Sequence, residues 1–199
     1  MYIFYDTVAR MKNVVTCVFC VLVSVMGTSS AYAEFNPFMG DAKNQIALMA
    51  GQGFDQGFIV PPPFRIVPFY ATQIQYSQPT TFFRLPARQS LNIVQPIGMA
   101  RKYGWDWKDF SIPIALASGD VALLYGCDWY TSVGGGVGLQ AQQNDRIGTK
   151  LVFQMKLTAG YRFNENWGAE FYIQHFSNGN TYHKNYSYAF YGFGVTYSF

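Results

Sequence analysis

Residues 151–163 read Leu-Val-Phe-Gln-Met-Lys-Leu-Thr-Ala-Gly-Tyr-Arg-Phe, and this stretch decides the fold because its side chains alternate. The odd positions from Leu151 to Phe163 are apolar or aromatic, whereas the even positions include Gln154, Lys156 and Arg162. Successive side chains of a β-strand point to opposite faces, so a period of two predicts a strand with one apolar face.

The same alternation continues toward the C-terminus. Apolar side chains occupy every second position in residues 167–173 and again in residues 189–199, which end in Phe199. The opposite face of these strands and of an earlier one is rich in glycine, at Gly134, Gly136, Gly138, Gly160, Gly168, Gly192 and Gly194.

Two architectures accommodate such strands. A soluble barrel or sandwich turns its apolar faces inward and exposes polar ones. A transmembrane barrel does the reverse, with small and polar side chains inside and an aromatic-girdled apolar band facing lipid. Small residues on the polar face suit a narrow barrel interior better than a solvated exterior. The pattern therefore favours an all-β, antiparallel transmembrane β-barrel of the outer-membrane type, with a soluble barrel that binds an apolar ligand as a distant alternative.

The composition excludes several other classes. The chain has 199 residues, of which 19% are aromatic and 13% charged, and its net charge is +3. Disordered proteins need more charge and fewer aromatics, and coiled coils need Glu and Lys in register. A charge this small and scattered does not predict a nucleic-acid surface. After residue 33 no apolar run reaches the 18 residues that would indicate a transmembrane helix.

The N-terminus has the pattern of a secretory signal peptide. Arg10 and Lys12 precede an apolar run at residues 14–26, and Ala31-Tyr32-Ala33 fits a small-x-small cleavage site. We expect residues 1–33 to be removed, with Met11 as an alternative start, and residues 34–199 to form the barrel. Cys127 is then the only cysteine, so no internal disulfide is possible, and we expect no metal site and no cofactor.

The length of the mature segment predicts eight strands. Eight strands of about 9–11 residues account for residues 34–199 if short turns join them on one side and longer loops on the other. The predicted strands are residues 43–53, 64–76, 89–101, 112–126, 132–142, 151–163, 166–177 and 187–199, and the middle ones are interrupted by prolines. With both termini periplasmic, the outer loops are residues 54–63, 102–111, 143–150 and 178–186.

One short motif carries groups that can do chemistry. His175 and Ser177 lie at i and i+2 where the seventh predicted strand meets its outer loop, and by parity both project to the lipid-facing side. A serine nucleophile needs an adjacent base, and that base needs a third group to fix its tautomer. By itself the pattern His-x-Ser is a weak signal, and it more often marks a polar strand end that meets lipid headgroups.

The C-terminal sequence resembles the outer-membrane lipid A 3-O-deacylases (acyloxyacyl hydrolases), over Gly160-Tyr161-Arg162-Phe163, Trp167-Gly168-Ala169-Glu170 and Gln174-His175-Phe176-Ser177-Asn178-Gly179. Members of that family are eight-stranded barrels that remove the 3-position acyl chain from lipid A. The resemblance implies location in the bacterial outer membrane and lipopolysaccharide as the partner. It also implies His175 as the general base, Ser177 as the nucleophile and Asn178 as a contributor to the oxyanion site.

The chain departs from the family at the third member of the triad. The family has a glutamate fourteen residues after the histidine, and this position is Ala189 here. Candidates for orienting the imidazole in its place are Asn185 and Ser187, and also Asp106 and Asp109 if a loop brings them close. Glu170 is not a candidate, because parity directs it into the lumen, where Lys156 and Arg162 can pair with it.

Two functions from different classes remain. The first is a lipid A deacylase weakened by the missing carboxylate, and the second is a non-catalytic barrel with a structural or surface role. The resemblance favours the first, and Ala189 favours the second. Acyl-chain preference and oligomeric state are left open by the sequence.

Overall fold

The computed structural model describes residues 36–55, 65–98, 110–144, 146–183, 185 and 187–199. All of them belong to one unit that spans Ala33–Phe199. The predicted signal peptide lies outside the described residues and stays a prediction. Among the residues described, no helix is long and apolar enough to cross a membrane.

The described residues form a closed antiparallel barrel. The strands are β1 (Gln45–Asp55), β2 (Arg65–Phe82), β3 (Leu85–Gly98), β4 (Phe110–Ser111), β5 (Ile114–Tyr125), β6 (Trp129–Gln140), β7 (Leu151–Arg162), β8 (Trp167–Ser177) and β9 (Tyr188–Ser198). Each long strand pairs with its neighbour, and pairing of β1 with both β2 and β9 and of β2 with β3 closes the sheet. The two-residue β4 pairs with β3 just before β5, so the barrel has eight long strands.

The side chains of the barrel wall are apolar on the outside and polar on the inside, as a membrane barrel requires. On β7, Met155 is 69% exposed whereas its neighbour Lys156 is 3% exposed. Large apolar side chains cover the outside of every long strand, and glutamine, serine and charged side chains lie inside. Exposed aromatics gather beside the short turns, at Phe82, Phe83, Tyr125, Trp129, Tyr161, Phe163, Trp167, Tyr197 and Phe199. An apolar outer band with an aromatic girdle confirms the outer-membrane barrel, and the soluble alternative is wrong.

The lengths of the connections distinguish the two ends of the barrel. The β2–β3, β5–β6 and β7–β8 connections are short turns, whereas the β6–β7 and β8–β9 connections are longer, and residues 56–64 and 99–109 separate β1 from β2 and β3 from β4. Outer-membrane barrels have short periplasmic turns and longer extracellular loops. The end with the long loops is therefore the outer end, close to the predicted loop positions.

The β2–β3 hairpin is longer than predicted. Residues 77–88 were expected to lie between strands, because Pro79 and Pro86 interrupt the pattern, yet β2 continues to Phe82 and β3 begins at Leu85. The pairing of β2 with β1 ends at Ser77, and that of β3 with β5 begins at Ala87. Both prolines therefore lie where the strand has no second neighbour, and the missing N–H leaves no ladder bond unmade.

The inside of the barrel contains a cluster of four charges. Glu170 is buried there as its parity predicts, but its partners are Arg88, at 3.1 Å between Nη2 and Oε2, and the Tyr130 hydroxyl. Arg88 also donates to Asp120 at 2.7 Å. The expected partners are placed elsewhere: Lys156 lies 3.9 Å from Asp120, and Arg162 donates to the carbonyl of Cys127.

Apolar groups fill the two ends of this interior. At the periplasmic end, Phe38 and Met39 from the segment before β1 pack against Tyr130, and Arg88 stacks 4.6 Å from the Phe38 ring. At the outer end, Phe69, Ala71, Val94, Ile114, Ile147, Val152, Phe176, Tyr188 and Phe190 belong to one buried cluster. Several glycines make room for this filling. A Cβ at Gly160 would collide with the Tyr130 ring, and one at Gly51 with the Tyr172 hydroxyl.

Candidate active site

β8 carries His175 and Ser177 to the outer end of the barrel. His175 pairs with Met155 on β7 and with Ala189 on β9, and Ser177 pairs with Phe153 on β7. Because Met155 is among the most exposed side chains of the barrel wall, the residues in register with it also face outward. The two side chains therefore share the lipid-facing surface, and Ser177 lies at the last residue of the strand.

The two groups lie two residues apart on the same face of the strand and are not hydrogen-bonded to each other. Residues at i and i+2 of a strand are separated by about 6.6–6.8 Å along its axis. Ser177 Oγ accepts a weak hydrogen bond from the backbone N–H of Gly179, at 3.4 Å. Both residues are partly exposed. Catalytic hydrogen bonds are often long or unformed without substrate, so this arrangement is compatible with a nucleophile and its base.

The His175 imidazole lies opposite an apolar residue of β9. Nδ1 of His175 is buried and has no hydrogen-bond partner among the described residues. Ala189, directly across from it on β9, is 2% exposed and offers only a methyl group. The residue across from His175 on β9 thus offers no hydrogen-bond acceptor in its side chain.

The turn after Ser177 is held by its own polar side chains. Asn178 is buried, its backbone N–H donates to Asn185 Oδ1 at 3.0 Å, and its side-chain Nδ2 donates to the carbonyl of Tyr182 at 3.2 Å. Its carbonyl accepts from the N–H and the hydroxyl of Thr181, at 3.1 and 2.7 Å. Gly179 has a φ of +62°, which suits a residue without a Cβ.

The other sequence-based candidates lie near this turn. Asn185 also donates to Asn180 Oδ1 at 2.8 Å, so its amide is engaged within the loop. Ser187 has a φ of +56°, and its carbonyl accepts from Arg146 Nε at 2.8 Å. Neither residue donates to or accepts from His175 Nδ1. Asp106 and Asp109 lie outside the described residues. Within the described part of the chain, no three of His, Cys, Asp and Glu are grouped as a metal site requires.

A comparison with protein families identifies the chain. The lipid A 3-O-deacylase (PagL) family matches residues 98–198, just over half of the sequence, from the end of β3 to the end of β9. The chain belongs to the lipid A 3-O-deacylase family. The matched region contains β8, the turn after Ser177 and β9, so the candidate site lies where the family likeness is found. A comparison with curated protein sequences finds no match.

Solved structures show the same fold. The crystal structure of the outer membrane enzyme PagL is similar with a TM-score of 0.58 and 11% identity, over 78% of this chain and 99% of that chain. The crystal structure of Neisserial surface protein A is similar with a TM-score of 0.57 and 12% identity, over 78% of this chain and 97% of that chain. At such identities the likeness concerns the fold alone. The family and the barrel together assign this deacylase-family chain to the outer membrane.

Two features of the structure are not evident from the sequence. Arg88 lies just before the predicted third strand, so it was not assigned to the interior. The run Arg88, Ser90, Asn92 at alternate positions is the signal that marks it as lumenal. The second feature is the contact of Arg146 and Ile147 with the loop that follows Ser177. No local pattern predicts a contact between two loops.

Proposed function

We propose that this chain hydrolyses an acyl ester of lipid A in the outer leaflet, with Ser177 as nucleophile and His175 as general base. The observation that carries the proposal is the pair of side chains on one lipid-facing strand end, in a chain of the lipid A 3-O-deacylase family. Lipid A presents its acyl esters at the boundary between sugar and hydrocarbon. A nucleophile at the outer end of an apolar wall meets that boundary without the substrate leaving the membrane.

The proposed reaction has two halves. Nε2 of His175 takes the hydroxyl proton of Ser177 while Oγ attacks the ester carbonyl, and the resulting intermediate expels the sugar hydroxyl, which receives the proton from the imidazolium. Water then attacks the acyl-serine with the same base, and the fatty acid is released. Asn178 is the proposed contributor to the oxyanion site, because it directly follows the nucleophile in the chain.

The missing carboxylate sets the expected rate. Nε2 acts as the base only if Nδ1 carries the proton, and no group in the described part of the chain accepts that proton or stabilises the imidazolium. In serine proteases, replacement of the triad aspartate by asparagine lowers kcat by about 10⁴. We therefore propose slow hydrolysis.

The second candidate function is a barrel without catalysis. Nδ1 of His175, which has no partner among the described residues, and the methyl group of Ala189 favour it, because both leave the imidazole without a group that would fix its tautomer. In this case His175 and Ser177 only border the headgroup region.

Expression in a Gram-negative host that lacks a deacylase separates the two functions. Lipid A from cells with the wild-type chain and from cells with Ser177→Ala is compared by mass spectrometry, and both barrels are first shown to be folded in the membrane fraction. Deacylation predicts a lipid A species lighter by one hydroxyacyl group that is absent with Ser177→Ala. An unchanged lipid A profile with a folded wild-type barrel would overturn the proposal and favour the non-catalytic barrel.

A further inference from the structure

Two outer loops meet beside the candidate site. Ile147, in the loop between β6 and β7, forms an antiparallel bridge with Asn185 in the loop between β8 and β9. The neighbouring Arg146 donates from Nε to the carbonyl of Ser187 at 2.8 Å. The β6–β7 loop thus holds the end of the loop that begins at the proposed nucleophile.

Arg146 is itself fixed at the mouth of the barrel. Its guanidinium carbon lies 5.1 Å from the ring centre of Phe69 on β2 and 5.7 Å from that of Tyr188 on β9. Its backbone N–H donates to Asn144 Oδ1 at 2.8 Å, and Asn144 also donates to the Tyr188 hydroxyl at 2.5 Å. The two ring contacts fix the position of the guanidinium. Through its Nε hydrogen bond, the guanidinium in turn fixes the position of the Ser187 carbonyl.

This position matters because both ends of the held segment border the site. Asn185 binds the backbone N–H of Asn178, the residue after Ser177. Ser187 lies two residues before Ala189, which faces His175 across the β8–β9 ladder. Displacement of residues 185–187 therefore moves the groups on either side of the Ser177–His175 pair. A misplacement of about 1 Å at an active site can cost on the order of 10²-fold in rate.

We infer that Arg146 is a positioning residue for the reaction, acting through Ser187 and Asn185 on the turn that follows Ser177. The inference rests on the proposed function. The guanidinium is partly buried between aromatic rings, and its Nε proton is committed to the chain's own backbone. This commitment favours positioning over a role as a ligand for the lipid A phosphates.

The kinetic test compares Arg146→Met with Lys150→Met on purified lipid A in mixed micelles. Lys150 is an exposed cation in the same loop with no side-chain hydrogen bond among the described residues. Its replacement by methionine therefore removes the same charge as Arg146→Met without breaking such a bond. Rates are divided by the amount of folded barrel, measured by its mobility in unheated gels. We expect Arg146→Met to lower kcat at least tenfold with KM within twofold, Lys150→Met to leave both unchanged, and Arg146→Lys, which keeps a donor and a cation, to retain most of kcat.

Three kinetic results would overturn the inference. A raised KM with unchanged kcat would assign Arg146 to headgroup binding. A kcat per folded barrel equal to that of the wild type would make its role purely structural. Equal losses of kcat in Arg146→Met and Lys150→Met would show that the effect comes from the removal of any positive charge from this loop.

A measurement independent of turnover keeps the inference testable if the wild-type chain is inactive, which would refute the proposed function alone. Amide hydrogen exchange of the folded barrel is followed by mass spectrometry in peptides that cover residues 178–187. We expect Arg146→Met, but not Lys150→Met, to accelerate exchange in these peptides by tenfold or more while peptides from β7 stay protected. Unchanged protection of residues 178–187 would show that Arg146 does not hold this loop.

Discussion

At position 189 a single side chain bears on the proposed reaction, and the strands on either side of it pair without interruption. The strand register still sets this position opposite His175, and the imidazole still faces outward beside Ser177. Among the residues that the structure describes, none accepts a hydrogen bond from Nδ1. In the proposed mechanism, the alanine at this position therefore affects the protonation and orientation of one ring and leaves the scaffold intact.

Restoring a carboxylate at this position is expected to raise activity. Ala189→Glu places an acceptor across from Nδ1, which fixes the productive tautomer and stabilises the imidazolium. We expect deacylation of lipid A to accelerate by at least about 10²-fold, within the roughly 10⁴ that this group contributes in serine proteases. The measurement is the initial rate of fatty acid release by the purified barrel.

The matched control is Ala189→Gln, which has nearly the same size and no charge. Ala189→Gln should release fatty acid much more slowly than Ala189→Glu. The double variant Ser177→Ala, Ala189→Glu should release none. Equal rates for glutamate and glutamine would refute an electrostatic role for this position.

Among the elements, the β2–β3 hairpin stands out because its turn is built from unfavourable residues. Phe83 and Arg84 have φ angles of +47° and +69°, a conformation that two-residue hairpin turns require and that glycine adopts without strain. The left-handed region costs a residue with a Cβ about 1–2 kcal/mol. The aromatic side chain of Phe83, 86% exposed, belongs to the periplasmic girdle, which explains an aromatic residue in this turn.

Substitution of the second turn residue by glycine is expected to stabilise the barrel. Arg84→Gly keeps Phe83 in the girdle and relieves the strain at one position, so the free energy of unfolding should rise by about 1 kcal/mol. Urea unfolding of the barrel in micelles, followed by tryptophan fluorescence, measures the change. The control Arg84→Ala should give no such gain, and a lower stability of the glycine variant would contradict this explanation of the turn.

At the scale of elements the sequence is a good guide wherever the structure is local. Alternation in residues 151–163 predicts β7 and its two faces because the period of a strand is set by its own backbone. The same parity assigns His175 and Ser177 to the outer face. The extent of β2 is not predictable in this way, because whether Pro79 interrupts the strand depends on where β1 stops pairing.

The interior of the whole molecule depends on contacts that are distant in sequence. Arg88 and Glu170 are separated by 82 residues, and their pairing follows from closure of the barrel and not from any local pattern. With Asp120 and Lys156 they form a cluster of two cations and two anions, buried and balanced in charge. Such a cluster is stable while its charges balance, but removal of one charged side chain leaves an opposite charge buried without compensation.

Removal of one charge from this cluster should destabilise the barrel, and removal of a matched pair should restore it. Arg88→Met leaves two carboxylates with one cation, and breaking a buried pair in this way costs about 3–5 kcal/mol. The double variant Arg88→Met, Glu170→Gln retains Asp120 with Lys156 and should recover more than half of the loss. Urea unfolding in micelles measures both.

The control is a pair on the surface. Asp128 lies 3.8 Å from Arg162 and is 60% exposed, so Asp128→Asn should change the stability by less than about 1 kcal/mol. A double variant no more stable than Arg88→Met alone would contradict the charge-balance explanation of the interior.

The central claim is that this barrel, although it lacks the carboxylate, breaks an ester of lipid A through Ser177. The most direct measurement is the release of hydroxy fatty acid from purified lipid A by the wild-type barrel folded in micelles, compared with an equal amount of folded Ser177→Ala. We predict slow release that is proportional to the wild-type barrel and absent from the variant. Release at the same background rate from both barrels would contradict the claim.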